Sequence, residues 1–332
     1  MGVCGIVLVA LGSTLPELTK SLHASSISVG SIFIARGVGA IIGAVASAKL
    51  FKWFKGTRII VVSLAIISVT LWVLPFTSSI AILHNRFFLM GLGTSITDTG
   101  CQIMTRKLHG NKAGPWFGAN TISFGVAGSL VPVIALISKD ISVQCRILAL
   151  MVAGVALIIA INPQVDENAS VDHNNESLIC APHYYVEITV AAIVFSLVGG
   201  QVTVTAYAST YATAQMHWSK DTGFQLLMMI WASVTVGRLG GIWDQQTLLS
   251  DDALRSHLAM AFTMGSLAAV LILLQPYNAL AVWIGFACYG LFNGPCLSYC
   301  YDLNNRITVP SEQSMAIVMF GLNFGASLVP YL

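Results

Sequence analysis

The sequence predicts an all-α polytopic membrane protein made of two related helix bundles. Of its 332 residues, 56% are hydrophobic and only 9% are charged, whereas about 25% of the residues of a soluble protein are charged. Runs of about twenty apolar residues, the length that crosses a bilayer, recur along the whole chain. A net charge of +2 gives no reason to expect a nucleic-acid partner.

Eleven spans follow one another along the chain. They cover residues 2–19, 28–50, 58–78, 80–105, 115–137, 143–162, 184–210, 223–243, 256–275, 279–301 and 313–332. The first begins almost at Met1 and the last ends on Leu332 without a polar tail, so we expect a chain clipped at one or both ends, with the last helix missing. A cleaved signal peptide is a weaker interpretation of the first span, because no positive residues precede it.

The basic residues predict the orientation, since cytoplasmic loops carry the excess of Lys and Arg. If the loop after the first span is outside, nine such residues are cytoplasmic and four are external. The nine are Lys49, Lys52, Lys55, Arg58, Arg106, Lys107, Lys112, Arg255 and Arg306, and the four are Lys20, Lys139, Arg146 and Lys220. The polar stretch 163–183 is then cytoplasmic. Its two glycosylation sequons, at Asn168 and Asn175, would instead indicate an external loop, and we interpret them as chance matches.

An internal repeat predicts two halves. Ser-Leu-Val-Pro at 129–132, in the fifth span, recurs 198 residues later at 327–330, in the eleventh. Two glycine pairs lie 197 residues apart, Gly43 with Gly240 and Gly93 with Gly290. Each pair is six spans apart, as in parallel repeats of transporters whose site lies between the halves. The expected units are a six-helix bundle at 1–162, a cytoplasmic linker at 163–183 and an incomplete bundle at 184–332.

Asp98 lies in an almost uncharged part of the fourth span, where an ionisable group costs roughly 3 kcal/mol on insertion scales. Thr94 and Gln102 are four residues before and after it, so a polar stripe runs down one side of the helix and should face a cavity. The alternative is a structural carboxylate paired with an arginine such as Arg36. Arg86 cannot be that partner, because it is twelve residues away, about 18 Å along the helix. We interpret Asp98 as the group that binds the driving cation, Na⁺ or H⁺.

Four segments resemble a known family. Residues 98–102, 116–132, 199–201 with 207–211, and 283–295 resemble the sodium-dependent glucose transporter-like branch of the major facilitator superfamily, which is related to fucose/proton symporters. The resemblance implies two six-helix bundles and sugar transport.

Several single residues and one short signature also resemble the family. The run from Gly240 to Asp244 fits the superfamily's G-x-x-x-D signature after span eight, and its counterpart after span two has lost the acid at Ser47. Arg86 resembles the span-four arginine of the family. Asp98 matches the family's span-four acid, and Glu17 corresponds to its acid near the end of span one, which implies that both couple the cation.

The chain departs from the branch at the positions that the resemblance relates to the sugar. The branch tends to have Asn at Gln102, Gln and His at Gly118 and Thr121, and Glu at Gln201. Aromatic and amide side chains nevertheless share helix faces, which suits a polyhydroxylated neutral solute, although ordinary packing explains any single one. The candidate solute-binding residues are Gln102, Asn120, Gln201, Tyr207, Tyr211 and Asn293. We assign gating or structural roles to Arg36, Arg86, Arg238 and Asp244.

These observations predict a secondary active transporter that carries a small neutral solute, a sugar such as a hexose, with Na⁺ or H⁺. We expect a monomer in the lipid bilayer of the plasma membrane, without a cofactor, a metal site or catalytic residues. The alternative is a transporter-like sensor or scaffold that does not transport. A membrane enzyme is disfavoured, because neither a nucleophile and base pair nor a metal-binding pattern occurs in the spans or among the seven cysteines.

Overall fold

The computed structural model describes residues 1–10, 26–138, 140–162, 184–247, 250–308 and 312–331. Throughout these ranges the chain forms helices and short connections, so the predicted all-α class is confirmed. The helices are α1 (residues 2–10), α2 (Ser26–Trp53), α3 (Gly56–Val73), α4 (Ile80–His109), α5 (Gly114–Ile137), α6 (Ile141–Ile161), α7 (Tyr184–Ala214), α8 (Lys220–Thr247), α9 (Asp251–Leu274), α10 (Ala279–Asn293), α11 (Cys296–Ile307) and α12 (Glu312–Leu328).

The helices have the length and surface of an integral membrane protein. In the described ranges, eight are long and apolar enough to cross a bilayer when α10 and α11 are counted together, and α12 is a shorter apolar helix. Large apolar side chains are exposed around the perimeter, among them Ile158, Trp243 and Leu273. In water such a surface would be unfavourable, whereas lipid tails cover it at no cost. The predicted multi-pass membrane protein is therefore confirmed.

Polar side chains cap the N-terminal ends of two helices. Ser79 accepts a hydrogen bond from the backbone N–H of Ile82 at the start of α4, and Asn278 accepts from Leu280 and Ala281 at the start of α10. These oxygens satisfy N–H groups that have no partner within the helix.

The tenth span consists of two helices. The sequence predicted one continuous span at 279–301, so the break was missed. Helix α10 ends at Asn293 and α11 begins at Cys296, on the other side of Pro295. Proline has no N–H to donate and its ring clashes with the preceding turn. A Cβ on Gly294 would lie 2.5 Å from the carbonyl oxygen of Val234 in α8, so the break also lets α8 approach closely.

Two helix pairs join the halves, and the internal repeat relates them. Helix α5 of the first half packs on α8 of the second, and α12 of the second half packs on α2 of the first. The fifth span corresponds to the eleventh and the second to the eighth, so the two interfaces are counterparts. Residues 163–183, the predicted linker, lie outside the described residues, as do its sequons.

Glycines make these interfaces close. A Cβ on Gly37 of α2 would lie 2.2 Å from the side chain of Ser327 in α12, and one on Gly125 of α5 would lie 2.7 Å from Thr235 Oγ1 in α8. Within the first half, Gly39 approaches Phe88 of α4 in the same way, with 2.1 Å between its ideal Cβ and the Phe88 carbonyl oxygen. Because glycine has no side chain, the backbones of neighbouring helices can approach each other closely at these positions.

Candidate functional site

A cavity lies between the two halves, and both halves line it. Its lining side chains come from α1, α2, α4 and α5 on one side and from α7, α8, α11 and α12 on the other: Met1, Cys4, Leu8, Arg36, Thr94, Ser95, Asp98, Thr121, Phe124, Val198, Gln201, Val202, Arg238, Leu297, Leu322, Asn323 and Ala326. The cavity has a volume of about 50 Å³. This is room for only a few ordered waters, so the cavity is narrow.

Asp98 lines this cavity near the ammonium of Met1 and forms no ion pair with a described arginine, lysine or histidine. Its side chain is buried, and Oδ1 has no hydrogen-bond partner. None of the ion pairs formed by the described residues includes it. Thr94, one turn earlier, lines the cavity as the polar stripe predicted, whereas Gln102, one turn later, is buried and donates to the Met1 sulfur at 3.7 Å. A buried carboxylate oxygen without a hydrogen-bond partner can accept a proton or bind a cation.

Two arginines line the cavity from opposite halves. Arg36 of α2 is 6% exposed and Arg238 of α8 is 1% exposed. Arg238 donates to the carbonyl oxygen of Thr121 in α5, and its Cζ lies 5.4 Å from the centre of the Phe124 ring. Arg238 therefore connects the two halves. Both arginines have a buried Nε without a hydrogen-bond partner.

Amide groups complete the polar wall. Gln201 of α7 is 5% exposed, and its Nε2 has no hydrogen-bond partner. Asn323 of α12 donates to Ser95 Oγ of α4 at 3.1 Å and to the Met319 carbonyl oxygen at 2.8 Å. The wall thus offers both free and engaged hydrogen-bonding groups beside Asp98.

The structure does not bring the other predicted solute-binding residues to this cavity. Asn120 donates to Thr105 Oγ1 at 2.8 Å within the first half. The Tyr207 hydroxyl donates to the Pro330 carbonyl oxygen at 2.9 Å, and the Tyr211 hydroxyl donates to that of Pro276. Asn293 is buried at the end of α10 with Oδ1 unpartnered, away from the cavity lining. The expected convergence of Gln102, Gln201, Tyr207 and Asn293 is therefore absent from this conformation.

Arg86 and Asp244 lie away from the cavity, where each joins neighbouring helices. Arg86 of α4 donates to the end of α3, at the carbonyl oxygens of Val73 and Leu74 and at Thr77 Oγ1. It is not the partner of Asp98, as its position predicted.

Asp244 lies inside α8, although the signature had suggested a loop. Its Oδ2 accepts hydrogen bonds from Tyr299 at 2.5 Å and from His257 at 3.3 Å, so it ties α8 to α11 and α9. Glu17 lies outside the described residues.

The halves also meet at the end of the bundle where the basic residues cluster. Arg106, in the last turn of α4, donates to the Thr308 carbonyl oxygen at the end of α11 at 3.3 Å. In return, Asn305 of α11 donates to the Gly110 carbonyl oxygen at the end of α4 at 3.1 Å. At the opposite end, the rings of Phe33 in α2 and Tyr207 in α7 lie 6.5 Å apart. Contacts between the halves therefore lie at both ends of the cavity.

Several lining residues were not among the predicted site residues. Ser95, Cys4 and Leu322 are ordinary small or apolar residues without a sequence signal of their own. Ser95 follows Thr94 on the same helix and could have been found by widening the polar stripe around Asp98. Arg36 and Arg238 were predicted to have gating or structural roles, and the structure shows that both line the cavity.

Comparison with known proteins decides the family. Residues 1–330 match the sequence profile of the Major Facilitator Superfamily. The chain belongs to this superfamily. It is 20% identical to the sodium-dependent glucose transporter 1 of Rattus norvegicus, over 99% of this chain and 75% of that protein, and 19% identical to the protein of the same name in Xenopus laevis, over 98% and 72%. These relatives confirm the branch that the sequence resembles.

Solved structures confirm the fold. The proton:xylose symporter XylE bound to 6-bromo-6-deoxy-D-glucose is similar with a TM-score of 0.75 and 13% identity, over 99% of this superfamily member and 85% of XylE. FucP in the outward conformation is similar with a TM-score of 0.65 and 13% identity, over 99% and 94%. The protein is thus a member of a transporter family, built as two helix bundles around a central cavity.

Proposed function

We propose that the protein is a secondary active transporter that carries a small neutral sugar across the plasma membrane together with Na⁺ or H⁺. The observation that supports this most directly is the cavity between the halves, which is lined by Asp98 from one half and by Gln201 from the other. A site shared by two repeat-related halves is the arrangement that alternating access requires. The names of the relatives support a sugar as the solute.

Asp98 is the coupling group in this proposal. Its Oδ1 is buried and unpartnered, so ionisation is costly unless a proton or Na⁺ neutralises it. Binding of the cation from one side and its release to the other would tie the electrochemical gradient to the reorientation of the halves.

The solute would be held by hydrogen bonds from both halves. Gln201 offers its free Nε2 from α7, while Ser95 and Thr94 offer hydroxyls from α4. The Phe124 ring lines the same cavity and can cover the C–H face of a sugar ring. Because the described cavity is narrow, the halves must separate slightly for a hexose to enter.

Reconstitution tests the proposal. The purified protein is placed in proteoliposomes, and uptake of labelled glucose, xylose and fucose is measured with an inward Na⁺ gradient, an inward proton gradient, or neither. We expect one gradient to drive accumulation of at least one sugar above the external concentration. Sugar binding without any uptake would instead support the sensor or scaffold alternative, and neither binding nor uptake would refute a sugar transporter.

A further inference from the structure

Arg36 is a buried cation that has no hydrogen-bond or ion-pair partner among the residues that the structure describes. Its residue is 6% exposed, its guanidinium lines the cavity, and it makes no hydrogen bond or ion pair with the described residues. Arg238 differs, because it donates to the Thr121 carbonyl oxygen and lies over the Phe124 ring. Of the two arginines, Arg36 alone has its full set of donors available.

Burial of a guanidinium without a partner is energetically unfavourable. Burying a charge is unfavourable unless another charge and several hydrogen bonds compensate for the lost water. Asp98 lines the same cavity but forms no ion pair with Arg36. The unfavourable burial of Arg36 therefore indicates a ligand. A negative group in the cavity would compensate the positive charge and accept hydrogen bonds from the guanidinium.

The charges of the lining favour a negative group on the ligand. Among the described groups that line the cavity, Arg36, Arg238 and the ammonium of Met1 are cationic and Asp98 is acidic. A ligand with a negative group compensates the charge of Arg36, whereas a neutral solute leaves it uncompensated.

We propose that Arg36 is a carboxylate-binding subsite of the cavity and that sugar acids of the uronate type are a solute class of this transporter besides neutral sugars. The guanidinium is planar and presents paired N–H donors that match the two oxygens of a carboxylate. This proposal rests on the proposed sugar transport, since the sugar ring would use the same amide and hydroxyl groups, those of Gln201, Thr94 and Ser95.

Glucose and glucuronate form a matched pair for the test, because they differ only in a hydroxymethyl group against a carboxylate. Binding of each to the purified protein is measured by thermal unfolding and by calorimetry, for the parent protein and for Arg36→Gln. We expect glucuronate to bind the parent protein, and Arg36→Gln to weaken that binding at least about tenfold, the loss typical of a charge-assisted hydrogen bond, while glucose binding changes less than about twofold. Arg36→Lys, which keeps the charge, should lose less.

Arg146→Gln is the control, because Arg146 is exposed on α6, outside the cavity lining, with its Cζ 5.9 Å from the centres of the Trp72 and Phe76 rings. It should leave binding of both sugars unchanged. Glucose binding without glucuronate binding would overturn the carboxylate subsite and leave the proposed sugar transport standing. The carboxylate subsite would also be overturned if Arg36→Gln weakened the binding of both sugars equally. It would likewise be overturned if sodium chloride stabilised the protein against thermal unfolding as much as glucuronate does. Absence of binding by glucuronate and also by glucose, xylose and fucose would refute both proposals.

Discussion

Asn323 of α12 donates a hydrogen bond from Nδ2 to Ser95 Oγ of α4, 3.1 Å away, across the boundary between the two halves. Both residues line the cavity, and both are at least nine-tenths buried. The bond lies one turn from Asp98 on α4, so in the proposed mechanism a cation at Asp98 would lie close to a contact that changes when the halves reorient. The proposed coupling would therefore act over a short distance at this position.

Replacement of Asp98 tests the coupling. Asp98→Asn removes the charge and the proton site but keeps the shape, so we expect accumulation against a gradient to be lost while exchange of sugar down its gradient partly remains. Uptake and counterflow in proteoliposomes measure the two activities. Asp221→Asn, at the exposed start of α8, should leave both unchanged. Full accumulation by Asp98→Asn would remove Asp98 from the coupling step.

Gln201→Ala should weaken the apparent affinity for the sugar. The variant leaves a hydroxyl of the bound sugar without its partner in a dry site, which costs about 1 to 3 kcal/mol. Asn293→Ala should have a smaller effect on affinity, because Asn293 does not line the cavity. The concentration dependence of uptake gives both values, with Gln215→Ala, an exposed residue, as the control. An unchanged affinity in Gln201→Ala would show that the sugar binds elsewhere.

The glycine contact between α2 and α12 should not tolerate a side chain. Gly37→Ala places a methyl group 2.2 Å from Ser327 Cβ, and we expect overpacking to destabilise the protein by roughly 1 to 3 kcal/mol and to slow transport. Gly154→Ala in α6 is the matched control, since nothing lies within 4 Å of its ideal Cβ. Thermal unfolding and the initial uptake rate are measured for both. Equal behaviour of the two variants would mean that the halves are less closely packed here than the structure shows.

The linker between the halves should be cytoplasmic. The nine cytoplasmic basic residues against four external ones predict that orientation, so Asn168 and Asn175 should stay unmodified in cells that glycosylate. The measurement is the gel mobility of the protein before and after glycosidase. A shift that disappears in the Asn168→Gln and Asn175→Gln double variant would reverse the orientation.

The last turns of α4 and α11 should act as one contact. Arg106→Gln or Asn305→Ala removes one of the two hydrogen bonds that join them, and we expect faster amide hydrogen exchange in the last turn of α11. Because the bonds share the same two helix ends, the double variant should be less than additive. Lys112→Gln, an exposed neighbour, is the control. Unchanged exchange in both single variants would show that this end is held by other contacts.

The sequence predicted the features that depend on one helix at a time. Hydropathy gave the membrane spans, and an isolated acid in a polar stripe correctly placed Asp98 and Thr94 on the cavity wall. The break at Pro295 was missed, because the apolar run continues across it. The positions of Tyr207 and Tyr211 were not predictable either. Their hydroxyls find carbonyl oxygens of distant residues, Pro330 and Pro276, and such partners follow from the packing of several helices.

The paired hydrogen bonds between the ends of α4 and α11 affect how often this end of the bundle opens. Each bond contributes about 1 kcal/mol net, so the pair favours closure by up to about 2 kcal/mol. At that free energy roughly 3% of the molecules would have this end open at any moment, which is within the range of minor states that ligands select. A solute that binds slightly better to the open form could thus shift the population without any large input of energy.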